Sequence, residues 1–316
     1  MNQSKIIAVI GSTGAQGGGL VRAIVADPDS GFTVRAITRK PESDKARAMA
    51  DLGVEVVAAD LDDEASLRQA FADAYGVYCV TNFWEHFSPE REIVQAGNMA
   101  RAAAAAGVEH VIWSTLEDSR KFIPLSDDRM PTLQIKYKVP HFDAKGAAND
   151  LFTEAGVPTT FLLTCFYWEN LIYFGMGPKR GEDGQLALTL PLGDQKLPSI
   201  AVGDIGRCAF GILRGGADYI DRTVGIAGEH LSGAEMADGL SRALGEKVVY
   251  KDIAPEDYRA LGFPGADDLG NMFQFNRDFA AEFCAARDLE LSRRLNPSLQ
   301  TFAQWLEENK DRIPLE

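Results

Sequence analysis

The chain has 316 residues, of which 46% are hydrophobic and 25% charged, which is ample for a large apolar core. Its formal net charge of −14 argues against direct binding to nucleic acid, whose phosphates must be neutralised by clustered Lys and Arg, and disfavours an anionic membrane surface. No stretch is long and apolar enough to span a membrane.

The first predicted element is an apolar strand, Lys5 to Ile10, that leads directly into a glycine-rich turn. Gly11, Gly14 and Gly17 follow one another at intervals of three, and an apolar helix pattern from Leu20 to Val25 comes next. Such a turn aims backbone N–H groups and the positive end of the helix dipole at one point, where a pyrophosphate can bind. Gly11 would form the tight turn, Gly14 would let the backbone approach the ligand, and Gly17 would let the helix pack on the strand. The motif predicts a dinucleotide site that includes Gly11, Thr13, Gly14, Ala15, Gln16 and Gly17.

The second predicted strand, Thr33 to Thr38, indicates which dinucleotide binds. An acidic residue after this strand would accept hydrogen bonds from the adenosine ribose, but Arg39 and Lys40 stand there instead. A guanidinium can pair with a 2′-phosphate through two parallel hydrogen bonds. We therefore expect NADP(H) rather than NAD(H), with Arg39 as the main phosphate contact and Lys40 beside it.

Four further strand patterns follow, each separated from the next by a helical segment. They are Val54 to Ala58, Val77 to Val80, His110 to Ser114 and Thr159 to Leu163. This alternation predicts an α/β fold, a doubly wound parallel Rossmann sheet with helices on both faces. Ligands of such sheets bind at the carboxyl ends of the strands. The residues that follow strands three and four are therefore candidates for cofactor binding: Asp60, Leu61, Thr81, Asn82 and Phe83.

A helix that begins at Pro140 carries two candidate catalytic residues, His141 and Lys145. Four residues make about one helical turn, so both side chains share a face. Lys145 could reach the ribose hydroxyls of a cofactor, and His141 could act as a general acid or have a purely structural role at the start of the helix. Ser114 and Thr115 end the fifth strand, where either hydroxyl could polarise a carbonyl.

The segment from Glu117 to Val139 is long for a connection and contains Pro124 and Pro131. Connections of this length often form lids over a site. Tyr137 lies on it, and Pro140 separates it from the following helix. A mobile lid could bring Tyr137 inward, but we expect it to be a surface residue.

After Thr164 the alternation of strands and helices stops, and a second lobe is expected. Its first residues are rich in aromatic side chains that could stack on a nicotinamide or shape an apolar pocket. We expect a dinucleotide domain of residues 1–164 plus about 201–228, and a smaller, mostly helical lobe of residues 165–200 and 229–316 for a substrate or partner. The candidates at the junction are Phe166, Tyr167, Trp168 and Asn170.

The remaining residue types predict neither a metal site nor a secreted protein. Four scattered cysteines form no metal motif and no disulfide framework, and the four histidines have no short ligand spacing. The first residues lack the apolar segment of a secretory signal. We expect a cytoplasmic protein with reduced thiols.

Several longer motifs, spread over nearly the whole chain, resemble one known family. They are Gly11–Gly18, Val34–Arg39, Ala59–Asp63, Thr81–Glu85, His141–Gly146, Tyr167–Asn170, Leu261–Ala266 and Leu295–Pro297. Together they resemble the NmrA-like family of atypical short-chain dehydrogenases/reductases, near the branch that contains a human NADPH sensor. The resemblance implies that NADP(H) binds at the glycine turn with Arg39 on the 2′-phosphate. It also implies that Asn82, Lys145 and Tyr167 to Asn170 surround the nicotinamide half.

The chain departs from the typical reductase of that superfamily at one position. The superfamily pattern is Tyr-x-x-x-Lys on one helix, whereas His141 stands in the tyrosine's place here. Two functions are therefore expected. The first is NADPH-dependent reduction of a small apolar carbonyl, quinone or related acceptor; the second is a non-catalytic NADPH/NADP+ sensor that acts through a regulatory protein partner.

Overall fold

The computed structural model describes residues 4–315. The expectation about a secretory signal rests partly on residues 1–3, which lie outside the described residues, as does Glu316 at the end of the predicted second lobe. The strands are β1 Lys5–Val9, β2 Phe32–Thr38, β3 Glu55–Ala58, β4 Gly76–Cys79, β5 His110–Thr115, β6 Thr159–Leu163, β7 Phe166–Tyr167, β8 Lys179–Arg180, β9 Leu186–Leu190, β10 Lys196–Ile200, β11 Thr223–Gly225, β12 Glu229–Ser232 and β13 Val248–Asp252. The helices are α1 Ala15–Val25, α2 Asp44–Ala50, α3 Glu64–Ala70, α4 Pro89–Ala105, α5 Pro140–Glu154, α6 Asn170–Tyr173, α7 Val202–Gly215, α8 Gly233–Leu244, α9 Pro255–Arg259, α10 Ala266–Asp278, α11 Ala280–Ala285, α12 Leu289–Leu295 and α13 Phe302–Asn309.

Seven parallel strands form the central sheet, in the order β11-β6-β5-β4-β1-β2-β3. The predicted fold class, a doubly wound parallel sheet with a smaller and mostly helical second lobe, is confirmed. The chain moves from β1 outward to β3 and then crosses to β4 on the other side of β1. Ligands bind at such a reversal point, outside the carboxyl ends of the strands. The reversal brings the turn after β1 next to the residues that follow β4.

The apolar run of β1 is continuous because both faces of the sheet are covered. Ile7 and Val9 belong to the core on one face, whereas Ala8 and Ile10 belong to the core on the other. Helices α1 and α7 pack against each other on one side, and α3, α4 and α5 pack on the other. Successive side chains of a strand point to opposite faces of the sheet, so the side chains of β1 belong to two separate cores.

The second lobe contains two small sheets and the C-terminal helices. Strand β10 pairs with β7 and β12, and β9 pairs with β8 and β13. The chain also returns to the first lobe, because β11 joins the large sheet beside β6 and α7 packs on α1. The predicted division into two domains stays a prediction. Across the described residues, no helix has the length and apolar character needed to cross a membrane.

The long connection between β5 and α5 is held by buried polar groups. The Asp143 carboxylate accepts hydrogen bonds from the backbone N–H groups of Ser119, Lys138 and Val139. The buried ammonium of Lys138 donates to two backbone carbonyls at 2.7 Å each. Tyr137 is only 2% exposed and its hydroxyl donates to Glu90, so the expectation that it lies on the surface is wrong. Its position in the chain, before a helix-initiating proline, carried no information about what the segment would pack against.

Candidate active site

A cavity of about 810 Å³ runs from the glycine turn, along the carboxyl ends of the strands, to the C-terminal lobe. Most of the residues singled out in the sequence line it. These are Gly11, Thr13, Gly14, Ala15, Gln16, Gly17, Arg39, Lys40, Asp60, Leu61, Thr81, Asn82, Phe83, Ser114, His141, Lys145, Phe166, Tyr167 and Asn170.

The turn that follows β1 requires glycine at two positions. Gly11 has a φ of +64°, a conformation that side chains disfavour, and a Cβ on Gly17 would lie 2.6 Å from the carbonyl oxygens of Ile10 and Gly11. Helix α1 begins after Gly14 with neither a side-chain cap nor an acidic residue in its first turn. The N–H groups and positive dipole end of this helix therefore face the cavity without a competing anion from their own turn.

Arg39 pairs with an acidic residue that sequence reasoning missed. Its guanidinium donates to both oxygens of the Glu85 carboxylate, at 2.5 and 3.0 Å. These hydrogen bonds lower the pKa of Glu85. Glu85 ends a short helical turn, Phe83–Glu85, that follows β4, whereas Lys40 is exposed at the rim. Arg39 thus lies at the predicted phosphate end of the cavity with a carboxylate as its present partner.

Gln16 connects three hydroxyl groups deeper in the cavity. Its Oε1 accepts from the hydroxyls of Tyr78 and Ser114, at 2.5 and 2.8 Å, and its Nε2 donates to the Tyr167 hydroxyl at 2.6 Å. Burial raises the pKa of Tyr167 to about 12 and also raises the pKa of Tyr78. Both phenols therefore stay protonated at neutral pH. The Tyr78 hydroxyl uses its proton in the bond to Gln16, whereas the Tyr167 hydroxyl, which accepts from Gln16, keeps its own proton for a further hydrogen bond.

Lys145 reaches across from α5 to the end of β4. Its ammonium donates to Thr81 Oγ1 at 2.6 Å and lies 2.9 Å from Glu92 Oε1. Glu92 is fully buried on α4 and also accepts from the Thr81 hydroxyl at 2.6 Å. A buried carboxylate needs such a partner, because an unpaired charge in a protein interior is strongly destabilising. The positive charge of Lys145 is therefore compensated while its side chain still borders the cavity.

His141 is paired with an aspartate from the C-terminal lobe. Its Nδ1 lies 2.6 Å from Asp268 Oδ1, and its backbone N–H donates to the same carboxylate. Because a carboxylate only accepts, the Nδ1 atom carries a proton in this contact. Within residues 4–315 no protein hydrogen bond involves Nε2. The aspartate fixes the orientation of the imidazole and leaves Nε2 as the atom available to a ligand.

Aromatic and apolar side chains enclose the region around His141. Its ring centroid lies 4.8 Å from those of Trp84 and Phe142 and 5.8 Å from that of Phe83. The C-terminal lobe adds uncharged side chains to the far wall, among them Phe263, Leu269, Met272, Asn276 and Phe283. The cavity thus has a charged end near Arg39 and a largely apolar end.

Two residues from the sequence prediction do not line the cavity. Thr115 is buried, and its hydroxyl contacts Asn149 Oδ1 at 2.7 Å on the opposite face of the strand from Ser114. Trp168 is fully buried and packs on Trp305 and Phe302. Ser114 and Thr115 are successive residues of a strand and point in opposite directions, so Ser114 faces the cavity instead. Trp168 follows the end of β7, and the two residues of that strand, Phe166 and Tyr167, line the cavity.

Sequence reasoning missed the partners of the predicted residues. Glu92 had one available signal, since it falls on the same helical face as Ala96 and Met99, where a charge is unexpected. Asp268 and Asn276 had no local signal, because Asp268 is 127 residues from the histidine that it contacts. Tyr78 lies within the apolar pattern of β4, which is typical of core residues and gives no sign of a role in the site.

Comparisons with known proteins agree with this architecture. A model of the NmrA-like family matches residues 3–306. The NmrA-like family domain-containing oxidoreductase FrzB of Cladobotryum sp is 27% identical over 306 residues, which cover 90% of this chain and 88% of the relative. Among solved structures, the negative transcriptional regulator NmrA in complex with NADP has a TM-score of 0.76 at 21% identity, covering 97% of this chain and 95% of that one. The triphenylmethane reductase of Citrobacter sp., complexed with NADP(H), has a TM-score of 0.75 at 23% identity, covering 96% and 99%.

Proposed function

The chain belongs to the NmrA-like family, and from that premise we propose that it is an NADPH-dependent reductase of a small apolar carbonyl, quinone or related acceptor. One observation carries the proposal. His141, oriented by Asp268, and the charge-compensated Lys145 border one cavity with the glycine turn. The relative FrzB is named an oxidoreductase, and the similar structure from Citrobacter is a reductase, which supports the same reaction class.

The residues present fit NADP(H). The uncapped start of α1 would hold the pyrophosphate. Arg39 would hold the 2′-phosphate after the Glu85 carboxylate moves away from the guanidinium. Asn82, Lys145 and Tyr167 would lie along the nicotinamide half of the cavity. NADPH, when bound, supplies the hydride for the reduction.

His141 is the proposed proton donor in this reaction. The Asp268 carboxylate holds the ring through Nδ1, and an Nε2–H directed into the cavity would donate its proton to the acceptor oxygen. Lys145 lies one turn further along α5, and Glu92 offsets its charge, so His141 and Lys145 each have their own buried carboxylate partner. The rings of Phe83, Trp84 and Phe142 make the surroundings of the imidazole apolar.

The first experiment measures NADPH oxidation against a panel of quinones, aldehydes, ketones and imines. We expect His141→Phe to lower kcat by about 10²- to 10⁴-fold, the usual contribution of a general acid, while the Kd for NADPH stays unchanged. Asp268→Asn should give a smaller fall in kcat. Asp267→Asn is the matched control, because Asp267 is the exposed neighbour of Asp268 on the same helix.

Equal turnover in His141→Phe and the wild type would refute the catalytic role of His141. Tight NADPH binding with no turnover of any acceptor would refute the reductase proposal. That result would favour the second function, a non-catalytic sensor of the NADPH/NADP+ ratio.

The sensor proposal has its own supporting observation. Glu85, the partner of Arg39, belongs to the same short helical turn as Phe83 and Trp84, whose rings contact His141. A phosphate that displaced Glu85 would therefore disturb the apolar end of the cavity as well. Such a sensor, as in the branch that contains the human NADPH sensor, would act through a protein partner. Pull-down of one partner with NADPH but not with NADP+ would support it.

A further inference from the structure

A buried carboxylate lies directly behind the ammonium that borders the cavity. Glu92 on α4 is fully buried and does not line the cavity, whereas Lys145 on α5 does. Lys145 Nζ lies 2.9 Å from Glu92 Oε1 and donates to Thr81 Oγ1 at 2.6 Å. Among the described residues, Glu92 is the only acidic residue that forms a salt bridge with Lys145. The cavity therefore borders a cation whose counter-charge is held inside the protein.

Three further contacts surround this pair. The Thr81 hydroxyl donates to Glu92 Oε1 at 2.6 Å, and the centroid of the Trp113 ring lies 5.1 Å from the ammonium. On the other side of the carboxylate, His86 Nε2 lies 3.6 Å from Glu92 Oε2, and neither atom has a closer hydrogen-bond partner in the described part of the chain. The Ser88 N–H donates to His86 Nδ1, so the proton of a neutral imidazole lies on Nε2. Donor groups therefore lie beside both oxygens of Glu92, as an anionic carboxylate requires.

A charge at this place acts differently on the two forms of the cofactor. The nicotinamide ring of NADP+ is a cation and that of NADPH is uncharged, while the rest of the two molecules is the same. In the arrangement proposed above, Lys145 lies along the nicotinamide half of the cavity. An ammonium there would repel the ring of NADP+ but not that of NADPH, unless an anion close by offsets its charge. Glu92 is that anion.

We propose that Glu92 sets the relative affinity of the protein for NADP+ and NADPH. Its charge offsets that of Lys145 at the nicotinamide ring, so an ammonium can border the cofactor without weakening the binding of the oxidised form. The inference rests on the proposed function for the placement of the nicotinamide half beside Lys145. It applies to a reductase, which binds both forms in each cycle, and to a sensor, whose response depends on the ratio of the two affinities.

The test compares the Kd for NADP+ with the Kd for NADPH by calorimetric titration. Glu92→Gln keeps the shape of the side chain and removes its charge. We expect it to raise the ratio of the Kd for NADP+ to the Kd for NADPH by about tenfold, as one unbalanced charge allows. Glu92→Asp keeps the charge and should retain the wild-type ratio. A loss of structure alone would weaken both nucleotides together and leave the ratio unchanged.

A second comparison removes both charges. The double variant Lys145→Met/Glu92→Gln should return to the wild-type ratio, although both nucleotides should bind more weakly. Lys145→Met alone removes the cation and does not depend on the folding of Glu92→Gln. In that variant the ratio should fall, because the remaining carboxylate attracts the ring of NADP+.

An unchanged ratio in Glu92→Gln would overturn the assignment. It would also be overturned by a double variant whose ratio stays as high as that of Glu92→Gln, or by a rise of the ratio in Lys145→Met. Failure of the wild type to bind either nucleotide would overturn it together with the cofactor proposal. Turnover is measured separately, so a shifted ratio without reduction of any acceptor would reject the reductase function alone.

Discussion

The contact between Arg39 and Glu85 lies at the end of the cavity where we propose that the adenosine 2′-phosphate of NADP(H) binds. Both are roughly half exposed, with side-chain accessibilities of 54% and 42%. Ion pairs of this kind contribute little to stability, about 0–1 kcal/mol, because water and salt screen them. The Glu85 carboxylate nevertheless accepts the hydrogen bonds of Arg39 that a 2′-phosphate would use. Its negative charge would also repel that phosphate.

Removing the charge of Glu85 should strengthen the binding of NADPH. We expect Glu85→Gln to lower the Kd for NADPH by about three- to tenfold, because Arg39 no longer has a competing anion and the phosphate loses a repulsive neighbour. The Kd for NADH should change little. Calorimetric titration of both nucleotides measures this, with Glu64→Gln as the control for loss of a surface carboxylate that pairs with arginines away from the cavity. Unchanged or weaker NADPH binding in Glu85→Gln would contradict the proposed role of Arg39.

At the scale of elements, the helix that begins at the glycine turn is positioned by another helix. Helices α1 and α7 approach so closely that their contact requires glycine. A Cβ on Gly206 would lie 2.1 Å from the backbone nitrogen of Leu20 and 2.2 Å from the carbonyl carbon of Gly19. Backbone atoms cannot move aside as a flexible side chain can, so the two helices would have to separate.

Gly206→Ala should therefore destabilise the protein even though alanine favours helices. Overpacking of this kind costs on the order of 1–3 kcal/mol, which lowers the Tm by several degrees in a chain of this size. Gly203→Ala is the matched control on the same helix, because its Cβ would meet only the end of the Arg207 side chain, at 3.6 Å. Thermal unfolding of the two variants measures the difference. Equal Tm values for both would show that the close approach of α1 and α7 is not required.

At the scale of the whole molecule, stability depends on pH through a histidine in the middle of the large sheet. His110 is fully buried on β5, and burial lowers its pKa to about 4. The Thr160 hydroxyl donates to the carbonyl of Tyr219, so the His110 Nε2 must donate to Thr160 Oγ1, at 2.8 Å. The Nδ1 atom has no partner in the described part of the chain, and protonation would place an unpaired N–H there.

Acid should destabilise the protein through His110. The unfolded chain binds a proton near the ordinary histidine pKa of about 6.5, whereas the folded chain binds it only near pH 4. The free energy of unfolding is therefore lowered as the pH falls from about 6.5 to about 4, by about 3 kcal/mol from this group. Urea unfolding at pH 7 and pH 4 measures the loss, which should be smaller by that amount in His110→Gln. The same loss in both proteins would contradict this assignment.

Local patterns were sufficient to predict much of the fold. The six predicted strands of the large sheet all occur, with ends shifted by one residue at most, because a strand covered on both faces needs a short and nearly continuous apolar run. The glycine turn could also be predicted from the sequence. The positive φ of Gly11 and the close approach of backbone carbonyls at Gly17 each exclude other residues. The partners of the candidate site residues were not predictable in this way. Little in the sequence distinguishes Glu85, Glu92 and Asp268 from the other acidic residues. Only the fold places them beside Arg39, Lys145 and His141, respectively.

The sequence by itself determined the fold class, the family and the glycine turn. Each depends on periodicity or on short spacings, which can be recognised without knowing which distant residues are in contact. Only the tertiary structure decided which neighbour faces the cavity, Ser114 rather than Thr115, because the register of a strand fixes the direction of every side chain. It also decided the pairing of His141 with Asp268 and of Lys145 with Glu92. Those contacts join residues far apart in the chain, and their geometry follows from how α4 and α10 pack against α5 rather than from any local pattern.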